Sequence, residues 1–161
     1  MRVTASHKYD ASIDAVYAAF CKADFYKKKF AAVGARQIEV LEKKKRGDAF
    51  YIRTQRDMPS EAPAMLRKFL GEWNTIMQTE SWEPDDDGFL NTIEIESEGA
   101  PVTIEGTMSL QAAGKGCVNK LAFEVECSIP FVGGKLEEFI AKDMKKVLAD
   151  EYKFIRAYLQ G

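Results

Sequence analysis

The sequence predicts an α+β chain in which a curved antiparallel sheet of seven strands wraps around one long C-terminal helix, with two short helices after the first strand. Three observations lead there. Seven segments alternate apolar and polar residues with the period of a strand that is wet on one face. Residues 134–160 run without a breaker and carry one apolar stripe, roughly 40 Å of helix that something broad must cover. The 161 residues, 46% hydrophobic and 30% charged, suit one domain that buries its core without disulfides or a structural metal, and no linker divides 1–161.

Residues 2–9 place Val3, Ala5, His7 and Tyr9 on one face and Arg2, Thr4, Ser6 and Lys8 on the other. Asp10 or Ser12 can cap the helix that follows, whose inner stripe is Ile13, Val16, Tyr17 and Phe20. A second short helix at 23–33 stops at Gly34. Strands resume at 36–43, with Ile38 and Val40 in phase, and at 48–57, with Phe50, Ile52 and Thr54 in phase. The polar run from Lys43 to Asp48 supplies the hairpin turn between them.

Residues 58–71 interrupt the strands, with Met65, Leu66, Phe69 and Leu70 at helical spacing and Arg67 and Lys68 facing away. Three readings stand: a short helix packed on the sheet edge, a flap over a cavity mouth, or transient contact with a membrane surface. Four more strands, near 73–83, 88–97, 101–112 and 117–128, are separated by turn chemistry at 84–88, 99–101 and 114–116. Phe89, Asn91, Ile93 and Ile95 form one inner set and Leu121, Phe123 and Val125 another, whereas the inner face of 73–83 stays open. After Pro130 and the Gly133-Gly134 pair, the long helix turns Leu136, Ile140, Met144, Val147, Ile155 and Tyr158 one way. Leu148 and Leu159 flank that stripe on one side and Phe139 on the other; Lys142, Lys145, Lys146, Lys153 and Arg156 lie opposite.

Composition narrows the function classes. A net charge of -2 gives no global field toward nucleic acid or anionic lipid, and the lysines at 27–29 and 43–46 read as solvated faces. The alternating N-terminus reads as a strand rather than a signal peptide, and no stretch reaches the roughly 20 apolar residues of a membrane span. Cys21, Cys117 and Cys127, odd in number and without CxxC spacing, suit reduced thiols in a cytoplasmic protein. His7 is the only histidine and has no carboxylates at ligand spacing, so neither a metal nor a cofactor is expected. No nucleophile elbow, phosphate-binding glycine loop, dinucleotide fingerprint or basic stripe interleaved with aromatics occurs.

The order of elements resembles the START-like, or SRPBCC, helix-grip superfamily. The segments Trp82-Glu83-Pro84, Gly99-Ala100-Pro101-Val102, Gly106 to Leu110, Ile129 to Glu137 and Glu151-Tyr152-Lys153-Phe154 are similar to one uncharacterised bacterial branch of it. The resemblance covers essentially the whole chain, but these segments are structural punctuation and supply no catalytic motif. It implies the helix-grip fold and a deep cavity between sheet and long helix. In the superfamily that cavity takes lipids, sterols, polyketides and other hydrophobic molecules, and some members are cyclases, dehydratases or hydroxylase partners.

Glu151 is the most informative position. It falls inside the apolar stripe, four residues after Val147 and four before Ile155, where an ionised carboxylate needs a partner or a proton. It reads either as a structural buried Glu or as a cavity carboxylate for a polar head group or acid/base work, with Arg56, in phase with Phe50, Ile52 and Thr54, as a candidate partner. His7 reads as a hydrogen-bonded core residue or a weak acid/base candidate beside Glu151. Asn91 and Asn119 are polar residues in apolar phases. The candidate ligand-binding set is Glu151, Arg56, Met65, Phe69, Asn91, Ile93, Met108, Phe123, Met144 and Val147.

Two expectations from different classes follow. The first is binding or carriage of a small hydrophobic ligand (a lipid, a polyketide or an aromatic-like molecule) by a monomer or homodimer, with no nucleic-acid partner and no stable membrane insertion. The alternative is a cyclase, dehydratase or hydrolase acting on such a ligand with Glu151 as acid/base. A filled core without a cavity would leave neither.

Overall fold

A computed structural model describes residues 1–161. In chain order the elements are β1 (Arg2–Tyr9), α1 (Ile13–Phe20), α2 (Ala23–Ala32), β2 (Arg36–Arg46), β3 (Ala49–Pro59), α3 (Ala64–Leu70), β4 (Trp73–Asp85), β5 (Gly88–Ser97), β6 (Val102–Ala113), β7 (Gly116–Cys127) and α4 (Gly133–Gln160). The seven strands form one sheet in the order β1-β7-β6-β5-β4-β3-β2, every pairing antiparallel. The helices α1 and α2 fill the long crossover from one edge strand to the other. This is the α+β helix-grip architecture.

Local chemistry sets the boundaries. Ser12, not Asp10, caps α1: its Oγ accepts from the Ala15 N–H at 3.2 Å. The β2–β3 hairpin is tighter than the polar run 43–48 implies. Strand pairing continues through Arg46↔Ala49, and only Gly47 and Asp48 turn, with Gly47 at φ 55°. A two-residue turn with a left-handed glycine matches the twist of the flanking strands, so the lysines extend the ladder instead of ending it.

The lysine cluster at 27–29 also needs correction, because Lys29 is only 5% exposed. It stands one turn after Phe25 and Tyr26, and its ammonium lies 5.5 Å, 4.9 Å and 4.9 Å from the ring centres of Phe25, Tyr26 and Phe30. Lys27 and Lys28 remain exposed.

The open question of β4 resolves into an inner row of Ile76, Gln78, Glu80 and Trp82, two polar residues between two apolar ones. One packed cluster joins α3 and three residues of α4 (Leu136, Ala141, Leu148) to β5, β6, β7 and β1. A second, rich in aromatics, joins α1 and α2 to Phe50, Ile52, Trp82 and Ile155. On α4, Leu136, Leu148, Glu151 and Ile155 are buried, while Ile140, Met144 and Val147 keep partial exposure because they face unfilled space. No helix is long and apolar enough to cross a membrane.

Candidate functional site: a cavity between the sheet and the long helix

Between sheet and α4 lies a cavity in which the centre of a water-sized sphere ranges over about 120 Å³. One water needs about 10–15 Å³ by this measure. The sheet contributes Ile76, Ile95, Ile104, Met108 and Phe123, α4 contributes Phe139, Ile140, Met144, Val147 and Leu148, and α3 contributes Leu70. Lys29, Arg56, Gln78 and Glu151 make a polar inner end. Behind it is a second void of about 20 Å³, lined by His7, Tyr9, Tyr26, Glu80, Trp82 and Asn119 among others. Lys29, Met108 and Glu151 line both spaces and so form the partition.

A glycine shapes one wall. Gly106 pairs with Phe123 across β6 and β7, and a Cβ placed on it would lie 2.2 Å from Cδ1 of that ring. The ring occupies the space a side chain would take, which sets where Phe123 meets the cavity.

The polar end is a buried network. Arg56 Nη2 donates to Gln78 Oε1 at 3.0 Å, and Gln78 Nε2 donates to Glu80 Oε2 at 2.7 Å. Asn91 Nδ2 donates to Glu80 Oε1 at 2.6 Å, and the Tyr26 hydroxyl reaches the same oxygen at 3.4 Å. Glu80, 2% exposed, therefore orients both amides, and Gln78 separates it from the guanidinium. The Arg56 guanidinium lies over Phe30, its Cζ 3.9 Å from the ring centre. Burial lowers the Arg56 pKa to about 10, with Glu151 and Glu80 opposing the shift. Burial likewise raises the phenols of Tyr26 and Tyr9.

Of the residues singled out in the sequence, the fold brings Glu151, Arg56, Met108, Phe123, Met144 and Val147 to the cavity wall. Glu151 points inward and is 8% exposed. It does not pair with Arg56: no ion pair within 4 Å joins them, and the hydrogen bond of Arg56 goes to Gln78. The other four do not line the cavity. Met65 is 50% exposed and Phe69 packs half-buried on the core, because the inner face of α3 is Leu66 and Leu70, one position round the helix. Ile93 is locked in the packed cluster, and Asn91 is wholly buried as a ligand of Glu80. Asn119 faces the inner void.

His7 also lines the inner void, stacked on Tyr152 with ring centres 4.3 Å apart and planes 5° from parallel. The reading as a hydrogen-bonded histidine gives way to a stacked one. Desolvation lowers its pKa to about 4 from 6.5, so it is neutral at pH 7. The unfolded chain takes up this proton at higher pH than the folded one. The stability that neutral His7 contributes is therefore complete above pH 6.5 and is lost as pH falls toward 4. Urea denaturation midpoints should fall across that window, and His7→Phe should flatten this part of the slope.

The sequence reading missed Lys29, Gln78 and Glu80. A signal existed for Lys29, which stands four residues after Phe25 and three after Tyr26, on the aromatic face of its helix.

An uncharacterised protein of Mycobacterium tuberculosis strain H37Rv is 23% identical over 163 residues, covering 96% of this chain and 94% of the relative. Among solved structures, an aromatase/cyclase from Streptomyces sp. R1128 superposes with a TM-score of 0.69 at 12% identity, covering 99% of this chain and 93% of that one. A START superfamily protein from Mycobacterium smegmatis gives 0.66 at 12% identity, covering 98% of each. These likenesses establish the START-like fold. A family model described as "Protein of unknown function (DUF2505)" matches residues 4–159, nearly the whole chain, and the chain belongs to that family.

Proposed function

We propose that this protein binds or carries a small hydrophobic molecule between sheet and α4, within one domain spanning residues 1–161. The observation that carries the reading is a cavity with long apolar walls that ends in a few polar groups, an arrangement that orients a ligand without much chemistry. Of the three readings of 58–71, the short packed helix has most support, since Leu66 and Leu70 both pack into the core cluster, and Leu70 also reaches the cavity wall. Organic extraction of the purified protein followed by mass spectrometry tests the proposal. A defined apolar molecule at near-stoichiometric yield is the expected result. Recovery of nothing above background, with no apolar compound raising the melting temperature, would refute it.

A second reading, an enzyme of the cyclase, dehydratase or hydrolase kind, has one observation in its favour. Glu151 lines the cavity without a hydrogen bond or ion pair, as a cavity acid/base would. Turnover of a bound ligand that disappears in Glu151→Gln would favour this reading; release of the ligand unchanged favours carriage.

A further inference from the structure

The buried charges at the polar end of the cavity and just behind it are equal in number. Lys29, Arg56 and Glu151 line the cavity, and Glu80 lies in the void behind. The one other charged lining residue, Asp143, stands two turns before Glu151 on α4 and is exposed. Glu80 is saturated, because Gln78, Asn91 and Tyr26 all donate to it. Two sets of hydrogen-bonding atoms are unused. Arg56 is 6% exposed, and its Nε and Nη1 are buried with no acceptor, while the Glu151 carboxylate lines the same cavity with no donor. Buried donors without partners are costly, so Arg56 calls for an acceptor that the protein itself does not provide.

Charge decides what that acceptor is. A carboxylate would satisfy Arg56 but would add a third negative charge beside Glu151 in a site already neutral. An ammonium would satisfy Glu151 but would face Arg56 and Lys29. In a low-dielectric pocket either uncompensated charge costs more than one hydrogen bond returns. A hydroxyl carries no charge, accepts from Arg56 through its oxygen and donates its proton to Glu151. We infer that the inner end of the cavity selects an uncharged hydroxyl, a phenol or an alcohol, at one end of an apolar body. The inference rests on the ligand-binding reading above and adds the class of head group.

Calorimetric titration of the full chain at neutral pH with naphthalene, 2-naphthol and 2-naphthoate tests this, since the three share a body and differ at one position. 2-Naphthol should bind about tenfold or more tightly than either of the others. Glu151→Gln, which removes one negative charge and leaves the site cationic, should reverse the order so that 2-naphthoate exceeds 2-naphthol. Lys29→Met, which removes a positive charge, should weaken 2-naphthoate further and leave 2-naphthol preferred. That variant keeps the test available if Glu151→Gln does not fold by circular dichroism. Equal binding of naphthalene and 2-naphthol would overturn the head-group assignment while leaving ligand binding intact. Tightest binding of 2-naphthoate by the unmodified protein would overturn the neutral site in favour of an anion site. Failure of all three to bind would overturn this inference, while the ligand-binding reading would stand or fall on the extraction experiment.

Discussion

Glu80→Ala should lower the unfolding free energy by about 3–5 kcal/mol, the range for breaking a buried charged network from one side. Glu80 is 2% exposed and accepts from Gln78, Asn91 and Tyr26. Truncation strands the Gln78 and Asn91 amide donors and frees Gln78 to turn, so Arg56 loses its one hydrogen bond as well as a nearby negative charge. Glu80→Gln keeps the shape and one acceptor oxygen but sets an amide N–H₂ against another donor, at a smaller expected cost of about 1–3 kcal/mol. Equilibrium urea unfolding of the three proteins measures the series. If alanine and glutamine were both within about 0.5 kcal/mol of the unmodified protein, the network would be incidental to stability.

Gly106→Ala should destabilise the fold by about 1–3 kcal/mol or more, the range for overpacking, and should also impair ligand binding. The added methyl would meet Phe123 Cδ1 at 2.2 Å and the carbonyl oxygen of Ala122 at 2.7 Å. Any displacement of the ring alters the cavity wall it forms, and the carbonyl belongs to the paired strand β7. Phe123→Leu in the Gly106→Ala background should recover part of the loss by clearing the ring. A double-mutant cycle on denaturation midpoints reads that coupling directly. Strict additivity of the two changes would show that ring and glycine do not share the space.

How far the sequence discloses such features depends on the periodicity around each residue. The seven strands and the long helix stand out because amphipathic alternation over eight or more residues leaves one arrangement that buries the stripe. Glu151 was legible for the same reason: one carboxylate inside an otherwise apolar stripe can only point inward. Glu80 was not. In β4 the residues on both faces mix polar and apolar character, and Gln78 and Glu80 look like solvent-facing residues until Trp82 and Ile76 are seen to share their side. The error at α3 is one of helical phase: Met65 and Phe69 repeat at the same spacing as Leu66 and Leu70, and sequence cannot rank two adjacent stripes. Lys29 hides in sequence because it belongs to a lysine-rich run, while the aromatic rings that cover it stand one turn away on the helix.

If the cavity takes a ligand as proposed, the partition between the two voids sets the length it accepts. Of its three members, Lys29 and Glu151 are charged, whereas Met108 is an unbranched thioether that packs against both core clusters and whose polar contacts are the amides of Asn91 and Asn119 at 3.8 Å and 3.6 Å. Thioether chains change rotamer at little cost, so Met108 is the panel that yields first. On the proposed ligand-binding reading, a guest too long for the outer chamber would gain depth by displacing that one side chain toward the inner void that His7 lines.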